Sequence, residues 1–424
     1  MQRARLFTAW EGTFSLASAQ SLARLGVPAL LTLLLFGASA VILQNPKVAI
    51  WDQARLLEAR FEAPYYPALP FGFTSQLFVI ALKALLPAGA PLHETLRLVA
   101  MAFWAGSAVW LAAALLERRA LVAVFLTLLF TSQYPFLWLS SELITGGFLC
   151  LAIGAWLRGA SPWIVGPLLA LLGLCKMELL LVSVLLLAFW VHARSSRREG
   201  VTLVASFAAT LVLLLLPGVV LIGPDYLIQY GAGGPGRGFA TFHQHFAALV
   251  APFQIGPAPN PWMDAEPYFQ RVFPGAESML DVVTARGFPY LDFVALSAAR
   301  GVRKVGWVFG WGWLVLPVLA WAWRRGGLEL GEREKALLLT FFGCLPFVLF
   351  AYPHIRYFAR YYPIFWILVF LVLERVWRLE DASVRNPCLR ISGLLIGLAL
   401  IQNARRTAIG LAAAPHLQPY WFSD

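Results

Sequence analysis

Charge is scarce in this chain: Asp, Glu, Lys and Arg together make up 13% of its 424 residues. Soluble domains carry about 25%, so a soluble globular fold is excluded. Cysteine is scarce too. The four residues, Cys150, Cys175, Cys344 and Cys388, show no C-x-x-C spacing, so neither a zinc site nor a disulfide framework is indicated. No phosphate-binding Gly-x-x-x-x-Gly-Lys-Ser/Thr loop, no Gly-x-Ser-x-Gly elbow and no His-Glu-x-x-His occurs. ATP-driven transport, serine hydrolysis of that type and zincin chemistry therefore lack sequence support.

What replaces charge is apolar surface. Hydrophobic residues reach 60%, mean hydropathy is +0.71, and apolar runs of about 15–24 residues recur at lengths suited to crossing a bilayer. The expected fold is all-α and polytopic, with residues 1–424 forming one integral-membrane domain. The net charge of +11 does not point to nucleic acid. The Lys and Arg residues sit in short clusters between apolar runs, as the positive-inside rule requires of cytoplasmic turns.

Counting from a cytoplasmic N-terminus, the first span at 27–44 reads as a signal-anchor and delivers the following loop to the external side. Ala38-Ser39-Ala40 also resembles a signal-peptidase site, but the long preceding segment and the polytopic remainder favour retention. The segment 69–87, interrupted by Pro70, Gly72, Gln76 and Lys83, reads as a juxtamembrane or re-entrant helix and not a full crossing. Treating it as a crossing would put Arg118-Arg119 and Arg197-Arg198 outside. The remaining spans lie near 94–116, 120–138, 143–157, two shorter runs up to His192, 201–222, 305–323, 336–351, 363–373 and 391–402. About eleven helices result, each long enough or nearly so to cross. The last is the least certain, because Arg405-Arg406 follow it on the external side. A long external loop occupies 223–304, with helix-like stretches at 263–272 and 276–286 and turn-rich segments at 231–238 and 257–261.

Against this background the first external loop stands out: Asp52, Arg55, Glu58, Arg60 and Glu62 fall within a few residues of one another. On a short helix Asp52 and Arg55 share a face, with Glu58 a further turn away. A carboxylate beside a fixed cation stays ionised. It can then accept a hydroxyl proton or hold a divalent cation, while an arginine grips phosphate in fork geometry. An interfacial amphipathic helix with a salt bridge reads equally well. Lys176, followed by Glu178 between two apolar runs, is a second candidate, since ionisable groups at membrane depth face a cavity or a partner; snorkelling is its bland alternative. Glu142 stands at a helix start, where an acid also complements the helix dipole. Tyr352 to Pro363 combine Arg356 and Arg360 with tyrosines, which suits an anionic head group or an aromatic belt. In the long loop, His243 and His245 alternate without a third ligand, a pattern more typical of packing than of metal binding.

Taken in order, these features resemble the GT-C class of integral-membrane glycosyltransferases that use polyprenyl-phosphate sugars, including the bacterial aminoarabinose transferase and protein O-mannosyltransferase relatives. Asp52 to Glu58 resembles their first-loop Asp-Glu-x-Arg-Tyr-x-Glu, and Phe61-Glu62-Ala63-Pro64 resembles Phe-Glu-Lys-Pro. Leu174-Cys175-Lys176 resembles their Thr-Lys junction, and Arg356-Tyr357 through Pro363 their Arg-Tyr-x-x-Pro entry to a late span. Gln53 and Ala63 depart from the pattern, and no separate soluble C-terminal domain follows.

The resemblance implies a GT-C-like catalytic module over 27–198, with 305–402 as C-terminal helices. It implies Asp52 as base, Arg55, Lys176 and Arg356 on the donor phosphate, Glu58, Glu62 and Glu142 as secondary acids, and a divalent cation, Mg or Mn, on Asp52 and Glu62. The partners implied are a polyprenyl-phosphate sugar donor, membrane lipids, and a lipid, glycan or protein acceptor. Transfer of a hexose or pentose would occur with inversion on the periplasmic face of a bacterial inner membrane. Two other classes stay open. One is a polymerase or ligase of lipid-linked oligosaccharides that uses Arg237, His243, His245 and Arg271 of the long loop. The other is a lipid or solute transporter.

Overall fold

The structure is a computed structural model that describes residues 57–62, 67, 72–87, 89–132, 140–193, 196–223, 226, 237–253, 264–285, 289–343, 353 and 355–413. The described residues form helices and no strands. In order these are α1 (Phe73–Leu85), α2 (Leu92–Leu115), α3 (Arg119–Thr131), α4 (Ser140–Leu157), α5 (Pro162–Gly173), α6 (Met177–Ala193) and α7 (Arg197–Ile222). They continue with α8 (Arg237–Val250), α9 (Ala265–Val272), α10 (Met279–Thr284), α11 (Pro289–Phe309), α12 (Val315–Gly326), α13 (Glu332–Phe342), α14 (Ile355–Ala359), α15 (Tyr362–Trp377) and α16 (Ala382–Ala413).

Among the described residues, four segments are long and apolar enough to cross a membrane: Thr95–Leu115, Arg197–Ile222, Pro289–Gly326 and Ala382–Arg406. The protein is an α-helical membrane protein. On α7 a broad apolar surface, including Val212, Leu213, Leu216 and Val220, is exposed, as expected of a helix facing lipid. By contrast α15 is buried along nearly its whole length and forms the axis of the bundle. α1 has 13 residues, or about 20 Å at 1.5 Å per residue, too short to cross alone.

α2 and α4 run parallel, and glycines set how closely they approach. A Cβ on Gly146 would stand 2.8 Å from the Trp104 ring, one on Gly147 would overlap Phe103, and one on Gly154 would overlap Trp110. The Trp110 ring also meets the Arg158 guanidinium, 4.6 Å from its centroid. Overpacking of this kind costs about 1–3 kcal/mol. Gly154→Ala should therefore lower thermal stability in detergent, whereas Gly393→Ala and Gly397→Ala on α16, where a Cβ meets nothing within 4 Å, should not. Equal melting of all three variants would contradict this helix contact.

The bundle has two polar ends. At one, Glu374 accepts hydrogen bonds from the backbone N–H groups of Glu117 and Arg118, both at 2.9 Å. Arg378 pairs with Glu117, Arg118 lies over Trp377, and Arg375 holds Glu334 through two nitrogens, the second bond at 3.0 Å. Gly331 passes so close to that pair that a Cβ would meet the Arg375 Nη2 at 2.5 Å. The Arg158 turn, Arg197 at the start of α7 and the Arg324-Arg325 pair share this end by helix direction. From Arg360 to Glu374 is 14 residues, roughly 21 Å along α15, and the other polar end lies there.

The stretch read from sequence as a long loop contains a second core. Phe242 and Phe246 of α8, Phe269 of α9, Phe273 just after α9 and Phe293 of α11 pack together apart from the main core. α9 and α10 fall in the stretches that read as helix-like; α8 was not anticipated, and α11 begins at Pro289 within the stretch assigned to the loop. His243 is buried here, its ring stacked on Phe269 with centroids 3.8 Å apart. Among the described residues its Nε2 has no hydrogen-bond partner.

Burial holds the His243 imidazole below its ordinary pKa, with Glu266 acting in the opposite sense. A base with a depressed folded pKa favours the fold above its unfolded value of about 6.5, and progressively less below it. Protection of the 237–253 amides against hydrogen exchange, corrected for the slower intrinsic exchange at lower pH, should therefore fall as pH drops below about 6.5. His243→Phe should abolish most of that dependence; an unchanged profile in the variant would assign it to another group.

Candidate functional site

The second polar end gathers side chains from three separate turns. Glu142 lies in the first turn of α4 and is 2% exposed. Lys176, in the α5–α6 turn, approaches its Oε1 at 3.3 Å, and Arg360, in the α14–α15 turn, approaches its Oε2 at 3.5 Å. The side chains of Lys176 and Arg360 are 14% and 0% exposed. Ionised groups so deep in a membrane protein cost several kcal/mol unless paired, and mark function more often than stability.

Local structure explains the convergence. Cys175 N–H closes the end of α5 on the Leu172 carbonyl at 3.1 Å, which turns the chain sharply and leaves Lys176 at the head of α6. α1 docks on that turn: Thr74 N–H donates to the Leu174 carbonyl at 3.2 Å, and its hydroxyl donates to the Leu171 carbonyl at 2.6 Å. Gly72 makes the approach possible, since its φ of 81° is left-handed and a Cβ would stand 2.5 Å from the Cys175 carbonyl oxygen. Ser75 and Gln76 are buried beside it. Arg360 is fixed from behind by its own Nε, which donates to the Tyr357 carbonyl at 3.1 Å, and its guanidinium lies 5.5 and 5.8 Å from the Tyr357 and Tyr361 ring centroids. Below it, the Tyr362 hydroxyl donates to the Leu128 carbonyl at 3.1 Å and accepts from Asn403 at 2.8 Å, anchoring α15 to α3 and α16.

The sequence candidates fare unevenly. Lys176 and Glu142, considered separately from the sequence, form one ion pair. Arg360 joins them, although Arg356 was the arginine placed on the phosphate; the side chain of Arg356 lies outside the described residues. So do Asp52, Arg55 and the side chain of Glu178. Glu58 is exposed, and Glu62, 73% exposed, pairs with Arg60 at 3.5 Å. Lys83 of α1 donates to the Ala59 carbonyl at 2.9 Å, and Tyr226 donates to the Pro67 carbonyl at 2.6 Å. These bonds tie the first loop to α1 and to the end of α7.

Compared with protein-family models, with curated proteins and with solved structures, the chain has no match. Functional argument therefore rests on the site itself. Among the described residues no three His, Cys, Asp or Glu side chains gather where they could share a metal ion. Each Glu142 oxygen faces a cation, and Glu62 is exposed beside Arg60; Asp52, the other acid read as a metal ligand, lies outside the described residues.

Proposed function

We propose that the protein is a GT-C-type glycosyltransferase that moves a sugar from a polyprenyl phosphate to a lipid, glycan or protein acceptor. The observation that carries this reading is the buried Glu142–Lys176–Arg360 cluster, at the end of the bundle where the start of α1 docks. The opposite end bears Arg118-Arg119, Arg197-Arg198 and Arg324-Arg325. The positive-inside rule then makes that end cytoplasmic and the cluster external, facing the periplasm if the membrane is a bacterial inner membrane. In this reading about eleven segments cross, several as helices shorter than the four long spans.

The acceptor hydroxyl attacks the anomeric carbon and forms the new C–O bond as the bond from that carbon to the phosphate oxygen breaks. Asp52 takes the hydroxyl proton, a role worth about 10²–10⁴ in rate. The donor's phosphodiester becomes a lipid phosphate monoester, and Lys176 and Arg360 stabilise the negative charge that develops on its oxygens. Glu142 acts through them as a positioning residue, holding both cations at one point. Single displacement inverts the anomeric centre. The polymerase or ligase alternative draws less support, since His243 is packed inside an aromatic core.

The test uses purified full-length protein in liposomes with a polyprenyl-phosphate sugar labelled in the sugar. Label appearing on an acceptor or in water, with unlabelled lipid phosphate left behind, supports the transferase. Label that crosses the bilayer still joined to its lipid identifies a transporter and overturns the proposal.

A further inference from the structure

Arg97 is the one charged side chain of α2 whose burial the structure describes, and it is 6% exposed in a helix that is otherwise a membrane span. Its position follows from helix register. Gly146 faces Trp104, Gly147 faces Phe103 and Gly154 faces Trp110, so residues of α2 and α4 correspond at a nearly constant offset along two parallel helices. Seven residues are close to two full turns; stepping back by seven from the Trp104–Gly146 contact keeps Arg97 on the face that α2 turns toward α4. It also sets Arg97 level with the first turn of α4, which carries Glu142. Ala100 and Met101, between Arg97 and Trp104, are buried as well. Helices in such contact lie about 8–10 Å apart, less where glycine lines the interface, a gap that an arginine side chain spans.

We infer that Arg97 is a further phosphate-contacting cation of the Glu142 site, reaching from α2 the same anionic group that Lys176 and Arg360 reach from their turns. The inference rests on the proposed function and deepens it: cations from three directions suit the three free oxygens of the phosphate monoester released when the sugar departs. Arginine's planar fork engages two of those oxygens at once. The first turn of α4 adds the positive end of a helix dipole on the same side.

The experiment measures binding of farnesyl phosphate, farnesol and phosphatidylglycerol to full-length protein in neutral-lipid nanodiscs. Wild type should bind farnesyl phosphate in preference to both competitors. Arg97→Gln should weaken farnesyl phosphate at least tenfold while leaving farnesol unchanged, and Arg97→Lys, which keeps charge but loses the fork, should fall between. If the Gln variant does not fold, the Lys variant decides, with an unchanged Kd overturning the assignment. Farnesol binding lost in parallel would make Arg97 structural and also overturn it. Phosphatidylglycerol competing as well as farnesyl phosphate would make this a general anionic-lipid site, again against the inference. A wild-type protein that binds farnesyl phosphate alongside an unaffected Arg97→Gln sinks this inference alone; a wild type that fails to bind it sinks the proposed function too.

Discussion

Asp52→Asn is expected to lower sugar transfer about 10²- to 10⁴-fold, the span associated with loss of a general base, while membrane insertion and melting stay near wild type. The amide keeps the size and much of the hydrogen bonding of the carboxylate but cannot take the acceptor's proton. A merely structural acid at an exposed interface tolerates the same change at a cost of about 1 kcal/mol or less. His243→Asn in the same assay supplies the contrast, because its ring lies in the second core away from the Glu142 cluster. A dead His243 variant beside an active Asp52 variant would move the chemistry to the long loop.

The second large effect concerns Glu142. Glu142→Ala leaves Lys176 and Arg360 facing one another at a site where both acid oxygens and the guanidinium are almost wholly shielded from water. Removing one member of a buried ion cluster typically costs about 3–5 kcal/mol, so this variant should melt markedly lower and lose transfer. Glu142→Gln retains the shape and one acceptor and should recover part of the stability. Pairing Glu142→Gln with Lys176→Met, which removes a now poorly compensated charge, should recover more stability but no activity. If the double variant is as unstable as Glu142→Ala, the cluster does not act as an ion pair.

Much of this architecture was legible in the sequence because hydropathy and charge clusters report on helices one at a time. The short α1 followed from Pro70 and Gly72, and α9 and α10 from their local pattern. What lay beyond reach was pairing between distant turns. Glu142, Lys176 and Arg360 are separated by 34 and then 184 positions, and with one sequence nothing links them. Arg360 lies one helical turn beyond Arg356, and the spacing alone does not reveal that the α14–α15 turn brings it to Glu142.

α8 was overlooked for a different reason. The Gly- and Pro-rich stretches on either side drew the eye to turns, while Phe239, Phe242 and Phe246 carried the i, i+3, i+7 spacing of a helix face. α16 extends from Ala382 to Ala413, well beyond the run at 391–402, because Asn386, Arg390, Gln402 and Asn403 interrupt its hydropathy without interrupting the helix. Asn403 and Gln402 spend that polarity on partners inside the bundle, Tyr362 and the Trp311 backbone N–H.

The central claim is that this protein breaks the bond between a sugar and a lipid phosphate. Phosphorus NMR of a polyprenyl-phosphate sugar incubated with purified protein and acceptor observes that bond directly, since the diester and monoester resonances are distinct. In wild type the diester signal should be replaced by a monoester signal, and it should persist with Asp52→Asn and with Lys176→Met. A diester signal that stays intact in wild type under conditions where the lipid is bound would contradict that claim.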